Sequence, residues 1–114
     1  MIKMDGSDFI TIGEQYGLKI HSKAHLNKSL YYWYDFPGEC NGEFFFIEYE
    51  VQTGTVMYSE SFSWNPYAKR IIGSKIKENT MTVEELEKII VKSIKLYKEK
   101  LFKYELRRVK RDFA

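Results

Sequence analysis

Seven apolar side chains near the C-terminus constrain this chain more than any other feature. Val83, Leu86, Ile90, Ile94, Tyr97, Leu101 and Tyr104 recur at helical spacing and so share one narrow stripe of a helix. The start of that helix is well marked. Thr82 and Glu85 have capping-box spacing, and Met81 with Leu86 forms a hydrophobic staple. The stripe needs a surface to bury it, and the strands upstream are the available one. Phe102, Leu106, Val109 and Phe113 continue at spacings of four, three and four, but on a different side of the cylinder. A helix from Val83 to Phe113 would be about 46 Å long at about 1.5 Å per residue. A compact domain of this size has a radius of gyration of only about 13 Å. Either the helix breaks near residue 103, or its end projects and buries the second stripe on something else, a second copy of the chain being one candidate.

The surface offered to the first stripe reads as three antiparallel strands in a meander. Leu30 to Phe36 is rich in aromatics, and Pro37-Gly38 and Asn41-Gly42 then mark a loop. Glu43 to Val51 alternates, with Phe45, Ile47, Tyr49 and Val51 on one side and Phe44, Phe46, Glu48 and Glu50 on the other. Gln52-Thr53-Gly54 is a short hairpin loop, and Thr55 to Trp64 returns with Val56, Tyr58, Phe62 and Trp64 on one face. Asn65-Pro66 predicts a cap and a short helix ended by Gly73, and Ser74 to Thr80 reads as a polar linker. Near the N-terminus, Ser7 is a candidate cap and Phe9, Ile12 and Tyr16 share a face that Gly17 ends. That segment is taken as a helix, with a strand over Phe9 to Ile12 as the competing reading. The expected class is α+β: a three-stranded meander packed by a long C-terminal helix, preceded by a short helix and an N-terminal helix.

The chain has 114 residues, which suits a single α+β domain spanning 1–114, with residues 103–114 as a projecting or separate basic end. Asp5 and Asp8 interrupt the N-terminal segment where a secretion signal needs an apolar run, and no run approaches a membrane span. Cys40 is the only cysteine, so no intrachain disulfide forms. The expected location is the cytoplasm, with no membrane partner. The net charge of +2 hides an asymmetry: Lys88 to Ala114 holds ten cationic side chains against three acidic ones, a local +7, and Met1 to Glu87 therefore carries −5.

Two surfaces follow. Alternation sends only half of Tyr31-Tyr32-Trp33-Tyr34 toward a core, so Tyr31 and Trp33, beside Glu48 and Glu50, are the expected protein-binding residues, with Phe102, Leu106 and Val109 as a second contact site. Tyr and Trp supply rigid contact area, and an acidic face can complement the positive groove of a nucleic-acid-handling enzyme. The basic end, with Lys103, Arg107, Arg108, Lys110 and Arg111, is the candidate nucleic-acid site, since each neutralised phosphate releases counterions. No catalytic residues are assigned. Glu48 and Glu50 lie two apart on one strand, an ordinary solvent-facing pattern, and no phosphate loop, nucleophile elbow or dinucleotide fingerprint occurs. His21 and His25 would share a helical face and bind zinc with Cys40, but a fourth ligand is not evident, so no metal or cofactor is assigned.

The element order around the Phe44 to Trp64 hairpin and the helices after it resembles that of several small phage-encoded anti-CRISPR proteins. The resemblance implies a stoichiometric inhibitor or accessory protein from a phage or mobile element, without a cofactor. It would act in the cytoplasm of the host cell by occupying a partner such as a CRISPR nuclease. The basic C-terminal third departs from the strongly acidic DNA mimics among them. The same order resembles the double-stranded RNA-binding domain, where lysines opening the last helix straddle phosphates. Here Lys69, Arg70, Lys75 and Lys77 precede that helix, but Glu84, Glu85 and Glu87 occupy its first turn and repel phosphate.

Overall fold

The computed structural model describes residues 4–24 and 29–113, with side chains described as far as Leu106. The chain runs α1 (Gly6–Gln15), β1 (Ile20–Ala24), β2 (Leu30–Tyr34), β3 (Ile47–Glu50), β4 (Thr55–Asn65), β5 (Arg70–Thr80) and α2 (Val83–Phe113). The α+β class and the long C-terminal helix are as expected, but the sheet has five strands rather than three. It is a single antiparallel meander in sequence order.

Helix α1 settles the N-terminal alternative in favour of helix. Its cap is Asp5 rather than Ser7: the Asp8 backbone N–H donates to Asp5 Oδ1 (2.9 Å) and the Asp5 N–H to Asp8 Oδ2 (3.0 Å). Two carboxylates thus build the capping box at the positive end of the helix dipole. Gly17, at φ 74°, ends the helix.

The two added strands account for the corrections. The segment read as a short helix after Asn65 is the tight turn of the β4–β5 hairpin. Asn65 Oδ1 accepts from the backbone N–H groups of Tyr67 (2.9 Å) and Ala68 (2.8 Å), which is the helix-start chemistry the sequence displays. One turn later Lys69 adopts φ 54° and the chain reverses into a strand. The supposed linker Ser74 to Thr80 is the second half of β5, paired with β4 from Thr55↔Thr80 to Asn65↔Arg70. Gly73 does not stop a helix. A side chain there would place its Cβ 1.9 Å from Ser59 Oγ, so the hairpin closes only with glycine at that position. At the other edge, β1 pairs with β2 from Ile20↔Tyr34 to Ala24↔Leu30.

Both helices pack on one face of the sheet and touch each other. The core between the layers holds Phe9 and Ile12 of α1, Tyr34, Ile47, Tyr49, Val56, Phe62 and Ile71 of the sheet, and Leu86, Ile90 and Tyr97 of α2. Phe9 stacks on Tyr34 with centroids 4.0 Å apart and planes 4° from parallel. Tyr97 meets Phe36, Phe46 and Phe62 in tilted or edge contacts at 5.0–6.0 Å. Such aromatic pairs add roughly 0.5–1.5 kcal/mol each beyond their buried area. Because β3 begins only at Ile47, the alternation read from Glu43 does not apply before it, and Phe46 turns into the core beside Ile47.

Helix α2 starts as its sequence requires. Glu85 N–H donates to Thr82 Oγ1 and Thr82 N–H to Glu85 Oε1, both at 3.3 Å, while Met81 packs against the core beside buried Leu86. The helix does not break: its backbone is continuous from Val83 to Phe113. Among the described residues its last core contacts are Leu101 and Tyr104, the latter stacked on Trp64 at 4.3 Å. The molecule measures 54 Å along its longest axis. Among the described residues no helix is long and apolar enough to cross a membrane.

Candidate protein-docking face

Pleating puts alternate side chains on opposite faces of a sheet. The pairing registers therefore define what the face away from the helices carries. One row across the strands is His21, Trp33, Glu48, Met57 and Glu78, and the next is Lys23, Tyr31, Glu50, Thr55 and Thr80. Tyr31, Trp33, Glu48 and Glu50, expected from the sequence as partner-binding, occupy four adjacent positions on β2 and β3. All four are half-buried within the isolated chain.

Two shallow hollows lie on this face. One, of about 210 Å³, is lined by Lys23, Tyr31, Trp33, Glu48 and the rim residues Glu43 and Phe45. The other, of about 370 Å³, lies among Tyr31, Glu48, Glu50, Met57 and Glu78. The Tyr31 phenol is held above its ordinary pKa, first by desolvation and then by the Glu50, Glu48 and Glu78 carboxylates, with a hydrogen bond to Ser29 acting the other way. Tyr31 is thus a neutral phenol among carboxylates at physiological pH. Among the described residues the face combines flat aromatic area with four carboxylates against one lysine.

Its rim is built by the segment between β2 and β3. Asp35 is buried, and its carboxylate accepts from His21 Nε2 at 2.7 Å and from the Gly42 backbone N–H at 3.1 Å. The His21 ring also stacks against Trp33 at 5.6 Å, so Asp35 orients the histidine that supports the central tryptophan. Further along, Arg70 donates to both Glu39 carboxylate oxygens, at 2.7 and 2.8 Å. Its guanidinium lies 4.7 Å from the Phe36 ring centre and 4.4 Å from that of Phe44. A bidentate ion pair held between two rings ties the segment to β5.

The remaining expected residues fall elsewhere. Phe102 and Leu106 are 66% and 43% exposed on α2, which packs on the opposite face of the sheet, so the structure does not unite them with Tyr31 and Trp33. Lys103 is exposed on the same helix. The side chains of Arg107, Arg108, Val109, Lys110 and Arg111 lie outside the described residues. His25 does too, so its grouping with His21 and Cys40 has no structural counterpart here. Among the described residues no group of three His, Cys, Asp or Glu side chains is placed to hold a metal ion. His21 pairs with a carboxylate as a general base does, but no nucleophile is hydrogen-bonded to it among the described residues.

Met57, Glu78, Lys23 and Phe45 belong to the face and were not singled out in the sequence. Met57 was within reach, since it alternates with Val56 and Tyr58. Glu78 and Lys23 sit on the two strands whose sequences lack an apolar rhythm. No family model, curated protein or solved structure matches the chain.

Proposed function

We propose that this chain is a small protein-interaction module that docks a partner protein on the open face of its sheet, as a stoichiometric inhibitor or accessory protein rather than an enzyme. The observation that carries this reading is the pairing register: Tyr31, Trp33, Glu48 and Glu50, with Met57 and Glu78 beside them, form one contiguous aromatic and acidic surface that neither helix covers. Aromatic anchors at the centre of a patch, with charge around them, are the composition of an interface hot spot. The matching partner surface is apolar at its centre and basic at its rim. Quantitative affinity capture from cells of the source organism tests the reading, with wild-type, Trp33→Ala and Glu50→Lys chains of equal thermal stability as bait. Loss of a specific protein partner in both variants supports it. A set of captured proteins identical for all three baits refutes it.

A second reading is supported by the continuity of α2: the basic segment from Lys103 to Arg111 is carried on an unbroken helix. Phosphate contact there would show as binding to duplex or single-stranded nucleic acid. Its salt slope would flatten by roughly one unit for each Lys or Arg removed. Salt-independent or absent binding refutes it.

A further inference from the structure

The sheet-facing side of α2 changes character after Tyr104. Phe62 meets Tyr97 at 5.7 Å, and Trp64 stacks on Tyr104 at 4.3 Å with planes 12° apart. Strand β4 and α2 therefore run in the same general direction, and the β4–β5 turn leaves the Trp64–Tyr104 stack on the same side as the helical turn that follows Tyr104. At about 100° per residue, the positions of Lys100, Arg107, Arg108 and Arg111 fall within roughly 60° of Tyr104 round the helix, and those of Lys103 and Lys110 within roughly 120° on one flank. The carboxylates of this stretch fall outside that arc, Glu99 at roughly 140° on the same flank, and Asp112 and Glu105 at roughly 80° and 100° on the other. Positions that are apolar up to Tyr104 are thus arginine beyond it, and three of the chain's four arginines stand there. The adjoining turn presents rings: Tyr67 is 95% exposed and Trp64 40%. Asn65 Oδ1 holds that turn by accepting from the Tyr67 and Ala68 N–H groups, and Lys69 beside it is exposed.

We infer, resting on the nucleic-acid reading of α2, that the tip of the β4–β5 hairpin and this side of α2 form one binding site for single-stranded nucleic acid. Trp64 and Tyr67 stack on unpaired bases, and the arginines of α2 hold the phosphates. Exposed rings beside a basic track are the arrangement by which proteins hold single strands irrespective of sequence. Within a duplex the bases are stacked on one another and offer Tyr67 no free face. Arginine suits both halves of the task, because its planar guanidinium donates to two phosphate oxygens at once and lies flat on an aromatic ring. An anionic membrane fits this surface less well. A helix lying on a bilayer carries its exposed apolar residues between basic flanks. Here Phe102 and Leu106 fall roughly 160° from Tyr104, on the side away from the arginines. Tyr67 itself sits among Asn65, Pro66, Ala68 and Lys69, which supply no apolar wedge.

The test titrates full-length chains into labelled oligothymidylate, oligouridylate and a DNA duplex of the same length, read by fluorescence anisotropy over a range of salt, with circular dichroism confirming that every variant is folded. A Trp33→Phe background leaves Trp64 as the only tryptophan, so its emission reports stacking directly. Single strands should bind more tightly than the duplex and quench Trp64. Tyr67→Ala, at an almost fully exposed position, should weaken single-strand binding by about 5-fold or more, and Tyr67→Phe should restore it. Arg107→Gln with Arg111→Gln should flatten the log–log salt slope by about 0.7 for each arginine removed. Duplex bound as tightly as single strands overturns the inference. So does wild-type affinity in Tyr67→Ala together with unquenched Trp64. In either case, binding that still depends on the arginines leaves the basic-helix reading standing, whereas no oligonucleotide binding near physiological salt overturns both. Phosphatidylcholine vesicles with and without phosphatidylserine supply the remaining arm. Arginine-dependent binding to the anionic vesicles, with none to oligonucleotides, assigns the surface to a bilayer and overturns the inference.

Discussion

Replacing Gly13 by alanine sets two well-scaled effects against each other. Gly13 lies inside α1, where alanine is preferred to glycine by up to about 1 kcal/mol. Propensity alone therefore makes Gly13→Ala stabilising. The packing says the opposite. A Cβ built on Gly13 lies 2.3 Å from Tyr34 Cε1 and 2.9 Å from both Cδ1 and Cζ, well inside van der Waals contact. The ring cannot retreat cheaply. It is fully buried and stacked on Phe9 at 4.0 Å, and its hydroxyl donates to the Phe9 carbonyl oxygen. Overpacking of this kind costs about 1–3 kcal/mol, and losing the buried hydrogen bond would cost about 1 kcal/mol more. The expected net effect is a destabilisation of about 1–3 kcal/mol, which at roughly 4 °C per kcal/mol lowers Tm by about 4–12 °C. Urea unfolding followed by circular dichroism measures it. Combining the change with Tyr34→Leu should give a loss smaller than the sum of the two single losses, because the shorter side chain vacates the contested space. A Gly13→Ala chain more stable than wild type would refute the claim that close helix–sheet approach, rather than helix propensity, selects glycine here.

Arg70→Lys keeps the charge but loses the bidentate bond to Glu39 and the fit between Phe36 and Phe44. A destabilisation of about 1–2 kcal/mol in chemical denaturation is expected, and an unchanged midpoint would count against the clamp. Alkaline pH should unfold the protein through its tyrosines. Burial raises the Tyr34 phenol far above its ordinary value of about 10, and raises Tyr49 and Tyr97 in the same direction, Asp5 and Asp8 adding to the effect at Tyr49 and Glu39 at Tyr97. The folded chain keeps these protons longer than the unfolded one. Stability from them is therefore complete below about pH 10 and falls as pH rises further, by about 1.4 kcal/mol per pH unit for Tyr34. Tyr34→Phe should flatten that slope in pH-dependent melts, and an equal slope in the variant would disprove the assignment. Phe102→Ser removes an exposed ring from α2 and should change monomer stability by less than about 0.5 kcal/mol, whereas Ile90→Ala, in the core, should cost about 2–5 kcal/mol. Comparable losses from the two would contradict the assignment of separate stripes on α2.

The parts of the fold that can be read from the sequence are those whose signals are local. The α2 cap is complete within Thr82 to Glu85, and the packing stripe repeats within one continuous helix. The aromatic strands β2 to β4 likewise carry their own β-propensity and alternation. The two edge strands do not. Ile20–Ala24 offers one apolar residue at each end of a polar run, and Arg70–Thr80 is polar through its second half. Each becomes a strand because its backbone groups complete the ladder of a neighbour that is itself well specified. Asn65-Pro66 misleads for a related reason. An asparagine capping two N–H groups looks the same whether a helix or a tight turn follows, and the partner strand, eleven residues long on each side, decides between them.

The proposed docking face divides along the same line. Tyr31, Trp33, Glu48 and Glu50 follow from alternation within two strands, but that they adjoin, and that Met57 and Glu78 extend the row, depends on register. Register is set by the buried side: Tyr34 opposite Ile47 and Tyr32 opposite Tyr49 place the core rings under α1. A shift by one residue would send the carboxylates of β3 inward against Phe9. The composition of the outer face is therefore fixed by the hydrophobic demand of the inner one, and the acidic row across β3 and β5 is held in place by residues it never touches. Binding variants on the outer face can for that reason be made without disturbing the core, whereas a slip in the core would dismantle the face.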